Sequence, residues 1–163
     1  MPEFQNKKRQ GGNQYINRTE SKSHNYSFEE KDFAEVTAKK IDEIANIKGK
    51  EFATLTDNKG RKLIKTNQIR NFFSHFNTIR NEFKKLKIIN QSIEELDSSL
   101  ILIKPKLAYA KGRNKGLEPF QQLMFEVIDK VYKSSDKDKA YTNFFEFVEA
   151  IVAYHKYYGG EDN

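Results

Sequence analysis

The chain lacks cysteine and tryptophan altogether, and it has only three prolines in 163 residues. Without cysteine there is neither a disulfide nor a thiolate metal site, which fits a reducing compartment. No apolar run approaches the 18 or so residues of a membrane span. The opening stretch, MPEFQNKKRQGGNQ, is polar and has no signal-peptide apolar segment, so a cytoplasmic protein is expected. The three histidines, His24, His75 and His155, stand at no metal-ligand spacing. There is no glycine-rich phosphate loop and no nucleophile with a base beside it. The acid pairs Glu29/Glu30 and Glu94/Glu95 are explained as helix starts, where carboxylates complement the dipole. The reading is therefore of a chain without catalytic residues, metal or cofactor, and not of an enzyme.

What the chain has instead is phenylalanine and unevenly distributed charge. Hydrophobic residues make up 37% of the chain, and 13 residues are Phe. These rings carry much of the burial in a core that 163 residues are enough to build. The net charge is +6. Residues 59–87 hold nine basic residues and the single acid Glu82, and residues 104–115 hold five basic residues and no acid. Residues 116–163 hold five basic residues against nine acids. Such polarity points to one face for a polyanion, the plainer reading being a solvated lysine surface.

The apolar spacing is helical nearly throughout, which predicts an all-α chain: a compact bundle of about five helices behind a flexible basic N-terminal arm. Residues 1–27 read as that disordered or loosely held arm and 28–160 as a single domain. Ser27-Phe28-Glu29-Glu30 reads as a capping box opening the first helix, with Gly49 as its stop. Asp57-Asn58-Lys59-Gly60 is turn chemistry. The stretch around which the rest is arranged is Thr66 to Leu86, in a helix expected to end near Lys87. There Ile69, Phe72, Phe73, Phe76, Ile79, Phe83 and Leu86 form an apolar stripe, and Thr66 is placed as N-cap. Arg70, Asn77, Arg80 and Lys84 form a basic edge within about 80° of one another. Ser92-Ile93-Glu94-Glu95 opens a third helix, and Pro105 is expected to kink or break it. Gly112 and Gly116 frame a basic loop. Pro119 begins a fourth helix, striped by Phe120, Leu123, Met124, Val127, Ile128 and Val131. Asp136 caps a fifth, which carries Tyr141, Phe144, Val148, Ile151, Val152 and His155 on one side and ends at Gly159-Gly160. His155, in the middle of an apolar face, reads as a satisfied core residue.

Three pieces, taken in order, carry a resemblance. They are Thr66-Asn67-Gln68-Ile69-Arg70, then Leu102-Ile103-Lys104-Pro105-Lys106-Leu107-Ala108-Tyr109-Ala110-Lys111-Gly112-Arg113, and Phe147-Val148-Glu149-Ala150-Ile151-Val152-Ala153-Tyr154-His155-Lys156. Over about residues 28–160 the chain resembles the small subunit of type III-A (Csm-type) CRISPR interference complexes. The resemblance implies a helical bundle without an active site. Several copies would line up head to tail along a guide (CRISPR) RNA paired to its target RNA, as the inner ridge beside the repeated backbone subunits, with the large subunit at one end. It implies contact with RNA phosphates largely without base reading.

On that footing the candidate RNA-binding residues are Arg70, Arg113, Lys104, Lys106, Lys111, Arg80, Lys84, Lys156 and Gln68. Arg70 matches the Gln-Ile-Arg motif, and its guanidinium suits a phosphate; the plainer reading pairs it with an acid of the first helix. Lys104, Lys106, Lys111 and Arg113 flank the expected bend, in a stretch with no local acid to neutralise them. Arg80 and Lys84 are proposed from their position beside Arg70, and Lys156 from the Tyr-x-Lys ending. Gln68 is suited to a sugar or phosphate hydrogen bond. Tyr109 can stack on a base, although a Tyr in Leu-Ala-Tyr-Ala more often packs in a core. The alternative function is a helical protein-interaction bundle or a DNA-binding regulator.

Overall fold

The computed structural model describes residues 27–161; the arm expected over residues 1–27 falls almost wholly outside them. Six α-helices follow one another: α1 (Ala38–Thr54), α2 (Thr66–Ile88), the short α3 (Asp97–Ile101), α4 (Ile103–Arg113), α5 (Glu118–Lys133) and α6 (Lys137–Tyr157). Single 3-10 turns occupy Phe33–Glu35, Ile93–Leu96 and Lys115–Leu117. Among the described residues there is no strand, only one antiparallel bridge between Thr56 and Lys62. The all-α bundle matches the expected class, with the third helix delivered in two pieces.

α6 is the central element. Of the predicted stripe, Tyr141, Phe144, Val148, Ile151 and His155 are buried, and Val152 is only partly buried. Asn143, Phe145 and Phe147 are buried too, because α1, α2 and α5 all pack against α6. Phe76 and Phe144 meet edge to face at 5.4 Å between centroids, and Phe83 meets Phe145 at 5.5 Å. Such pairs add about 0.5–1.5 kcal/mol to the burial of the rings. The predicted stripe of α5 is buried in full, and Pro119 sits in its first turn, where a missing N–H costs nothing.

The start of the chain departs from expectation. Residues 27–30 are not helical, so Ser27 caps nothing, and α1 begins at Ala38 behind Thr37, whose hydroxyl accepts from Lys40 N at 3.3 Å. Tertiary contacts override the local signal. Phe28 lies 5.0 Å from Phe33 and 4.9 Å from Phe147, edge to face. Lys130 Nζ donates to Phe28 O at 2.8 Å and to Glu30 O at 2.6 Å. Asn143 donates to the carbonyls of Phe33 and Val36 at 2.9 Å each. The lead-in is therefore a strap across α5 and α6, with its carbonyls satisfied by side chains instead of by a helix.

Gly49 is not a stop. It lies inside α1 at the closest approach to α6: a Cβ there would stand 2.5 Å from Tyr154 Cβ and 2.9 Å from His155 N. The glycine allows two helix backbones to touch. The turn at residues 57–60 forms as expected. Gly60 N donates to Asp57 O at 3.0 Å, and Gly60 has φ +74°, where a side chain would be strained. Thr66 is the first residue of α2 rather than its cap, a position held by Lys65. The break expected at Pro105 falls at Leu102, between α3 and α4, which leaves Pro105 in the first turn of α4. Gly112 belongs to α4 instead of a loop, and Gly116 lies in a 3-10 turn against Leu63. Asp136 caps α6 by accepting from Lys139 N at 3.0 Å.

His155 is fully buried, as expected of a core residue. Its Nε2–H donates to Ile64 O at 3.2 Å, since a carbonyl only accepts, and Nδ1 accepts from Thr66 Oγ1 at 3.3 Å. Thr66 N donates to Glu161 O at 2.7 Å. The start of α2 is thus tied to the end of α6. Burial, with smaller contributions from Lys62 and Lys156, outweighs the Ile64 hydrogen bond and pushes the His155 pKa below its ordinary 6.5.

Two outcomes follow for stability. Gly49→Ala overpacks the α1–α6 contact and should lower stability by about 1–3 kcal/mol in urea unfolding, against near neutrality for Gly112→Ala, which meets nothing within 4 Å. The unfolded chain takes up a proton on residue 155 below about pH 6.5 that the folded chain refuses. Stability should be intact above that pH and fall as pH drops through 6.5 towards the lowered folded value, by at most about 1.4 kcal/mol per pH unit. His75, also held below 6.5, adds to the same fall. His155→Gln should therefore flatten, without abolishing, the pH dependence of the urea midpoint between pH 7 and 5.

Candidate nucleic-acid interface

α4 packs on α5 and on the turn that follows α4. A groove of about 790 Å³ lies between α4 and α2. The α2 wall is Gln68, Asn71, Phe72 and His75, and the α4 wall is Pro105, Lys106, Tyr109, Ala110 and Arg113; Asn114 and Leu117 complete the lining. None of these lining residues is a carboxylate. The groove continues along α2 in both directions. A hollow of about 270 Å³ lined by Lys62, Lys65 and the ion pair of Arg61 with Asp57 shares Gln68 and Asn114 with it. A smaller one of about 190 Å³, which contains Glu82, shares His75 and Lys106. At 1.5 Å per residue, the α2 side from Lys65 to Glu82 runs about 25 Å.

Three of the sequence candidates meet here: Gln68, Lys106 and Arg113. Lys106 is exposed and donates to His75 Nδ1 at 3.4 Å. Arg113 is exposed, with its guanidinium 6.0 Å from the centre of the Tyr109 ring. Among the described residues neither cation is paired with a carboxylate. Gln68 Oε1 accepts from Lys65 N at 2.9 Å, which fixes the side chain at the groove edge. Tyr109 is 70% exposed, so the core packing expected of it is corrected. α4 buries only Ile103 and Leu107, and Tyr109 projects from the opposite side.

Other candidates are placed elsewhere. Lys104 pairs with Asp129 and lies over the Phe125 ring at 5.2 Å. Lys111 pairs with Glu118 at 3.2 Å, and Arg80 pairs with Glu149. The acid-free stretch around Pro105 does not leave all its cations unneutralised, because α5 brings acids to it from a distance in sequence. At 100° per residue, Arg70 and Lys84 lie roughly 100–180° around α2 from the groove wall and so belong to a separate flank. Both are exposed. Lys156, exposed near the end of α6, donates to Gly160 O at 3.5 Å.

Sequence reasoning missed Asn71, His75 and Asn114 as groove residues. The only available signal was angular, since 68, 71, 72 and 75 share one side of a helix whose apolar stripe drew the attention. Burial, and then the charge of Lys106, push the His75 pKa below its ordinary value, so the ring is neutral at pH 7. Among the described residues no cluster of His, Asp and Glu is arranged to hold a metal ion, and no helix is long and apolar enough to cross a membrane.

Among the described residues, the class is that of an all-helical bundle with an open groove whose lining carries cations and no carboxylate. Comparison with known proteins says which kind. A family model described as Csm2 Type III-A matches residues 35–161, and the chain belongs to that family, the small subunit of type III-A CRISPR complexes. It is also similar to the CRISPR system Cms protein Csm2 of Streptococcus thermophilus, with 27% identity over 106 residues, covering 65% of this chain and 82% of that protein. No solved structure matches the chain.

Proposed function

We propose that this subunit binds the sugar–phosphate backbone of the guide and target RNA largely without sequence specificity, takes no catalytic part, and stacks in several copies as the inner filament of the complex. The observation that carries the reading is the groove between α2 and α4. It offers Lys106 and Arg113 without a carboxylate partner among the described residues, and it opens at one end onto Lys62 and Lys65. A guanidinium forks onto two phosphate oxygens, and an ammonium supplies a point charge beside it. Contacts of this kind position a strand without reading it. One subunit alone binds modestly, and an array of copies on one strand multiplies the effect. Family membership supports the place in the complex; the groove supports the polyanion.

The reading ranks the sequence candidates. Lys106 and Arg113 are assigned to phosphate first, with Gln68 at the strand's edge. Lys104, Lys111 and Arg80 are assigned to the bundle, since each already has a carboxylate. Each phosphate neutralised on a single strand contributes about 0.7 to the slope of log affinity against log salt. Lys106→Ala and Arg113→Ala should each reduce that slope by about 0.7 in fluorescence-anisotropy titrations of single-stranded RNA, and Lys104→Ala should leave it unchanged. Arg70→Ala and Lys84→Ala, measured alongside, report on the other flank of α2. An unchanged slope in the Lys106→Ala/Arg113→Ala double variant would remove the groove from the RNA path.

A further inference from the structure

The groove between α2 and α4 has more in it than backbone binding requires. A phosphodiester strand asks for cations and donors within reach. It does not ask for the apolar floor made here by Phe72, Pro105, Ala110 and Leu117. The hollow's volume of about 790 Å³ falls in the range of sites that enclose a small molecule. A 70% exposed Tyr109 forms one side of it. Arg113 lies over that ring at 6.0 Å, and the 70% exposure of Tyr109 leaves ring surface for a second flat group.

Apart from Asn71, whose amide can donate or accept, the polar lining is biased towards donors. Gln68 has committed its oxygen to Lys65 N, which leaves its amide N–H groups to offer. His75 accepts on Nδ1 from Lys106, so its ring proton sits on Nε2. Asn114 is committed on both ends, donating to Leu63 O at 3.2 Å and accepting from Gly116 N at 3.0 Å.

We infer that this groove receives one unstacked nucleobase of a single-stranded RNA, with the base lying on Tyr109, its carbonyl oxygens meeting the N–H groups of Gln68 and His75, and the adjoining phosphate held by Lys106 and Arg113. The inference rests on the RNA-backbone reading and goes beyond it, since it requires a base and not only a charge. A donor-rich lining favours carbonyl-bearing bases, uracil above adenine.

The test compares oligouridylate with an abasic ribose–phosphate oligomer of equal length, bound by the full chain at low salt and followed by fluorescence anisotropy. Tyr109 is exposed, so Tyr109→Ala leaves the core intact. Tyr109→Ala should weaken oligouridylate binding about 5- to 150-fold, the range for loss of one base–aromatic stack. It should leave abasic binding and the salt slope unchanged. Tyr109→Phe should restore oligouridylate affinity to within about twofold of the original. Equal losses on both oligomers, or no loss on either, overturn the base site. If the unaltered chain binds with a salt slope but is indifferent to Tyr109→Ala, the base site falls and the backbone reading stands. If it binds neither oligomer, both fall.

Discussion

The fold turns on one buried imidazole. His155 bridges the carbonyl of Ile64 and the hydroxyl of Thr66 near the end of α6, and the backbone N–H of Thr66 closes the link onto Glu161. A buried polar group left unpaired costs about 1–3 kcal/mol, so a neutral histidine with both nitrogens satisfied holds its neighbours to one register. The register matters because α2 has three distinct sides. One is its phenylalanine stripe against α6, the second is its basic outer flank, and the third is Gln68, Asn71 and His75 facing α4. Fixing where α2 starts fixes which residues each side presents.

Charge and availability are different quantities in this chain. The net charge of +6 and the clusters around residues 59–87 and 104–115 both point to a polyanion, yet folding removes several of those cations from the count. Asp129 and Glu118 of α5 and Glu149 of α6 reach across to Lys104, Lys111 and Arg80. Within the groove lining between α2 and α4 the feature is narrower: Lys106 and Arg113 beside an exposed tyrosine, with no carboxylate among the lining residues. Ion pairs at a half-exposed surface contribute little to stability, roughly 0–1 kcal/mol each. Their larger consequence here is to decide which side chains are left for a partner.

The helical class, the stripe of α5, the Asp136 cap and the buried role of His155 were all legible in the sequence, because each rests on spacing within one element. Gly49, Ser27 and Tyr109 were not, and for one reason. A glycine signals a stop unless a second helix presses on it, a capping box forms unless a phenylalanine beside it is drawn into a distant core, and a tyrosine is buried unless its helix packs through the opposite side. All three outcomes depend on what lies opposite, which sequence-local patterns do not contain. The three segments that carried the family resemblance include the α4 wall of the groove but only Gln68 of the α2 wall. They marked Gln68, Lys106 and Arg113, whereas Asn71 and His75, just beyond the first segment, went unmarked.

The central claim is that RNA lies along the groove between α2 and α4. The most direct test is an amide chemical-shift map of the isotopically labelled chain titrated with single-stranded RNA. The account predicts perturbations concentrated at Gln68, Asn71, His75, Lys106, Tyr109, Arg113 and Asn114, fading towards the Lys104–Asp129 and Arg80–Glu149 pairs. Perturbations confined to the outer flank around Arg70 and Lys84, or to α1, with the groove residues unmoved, would contradict it.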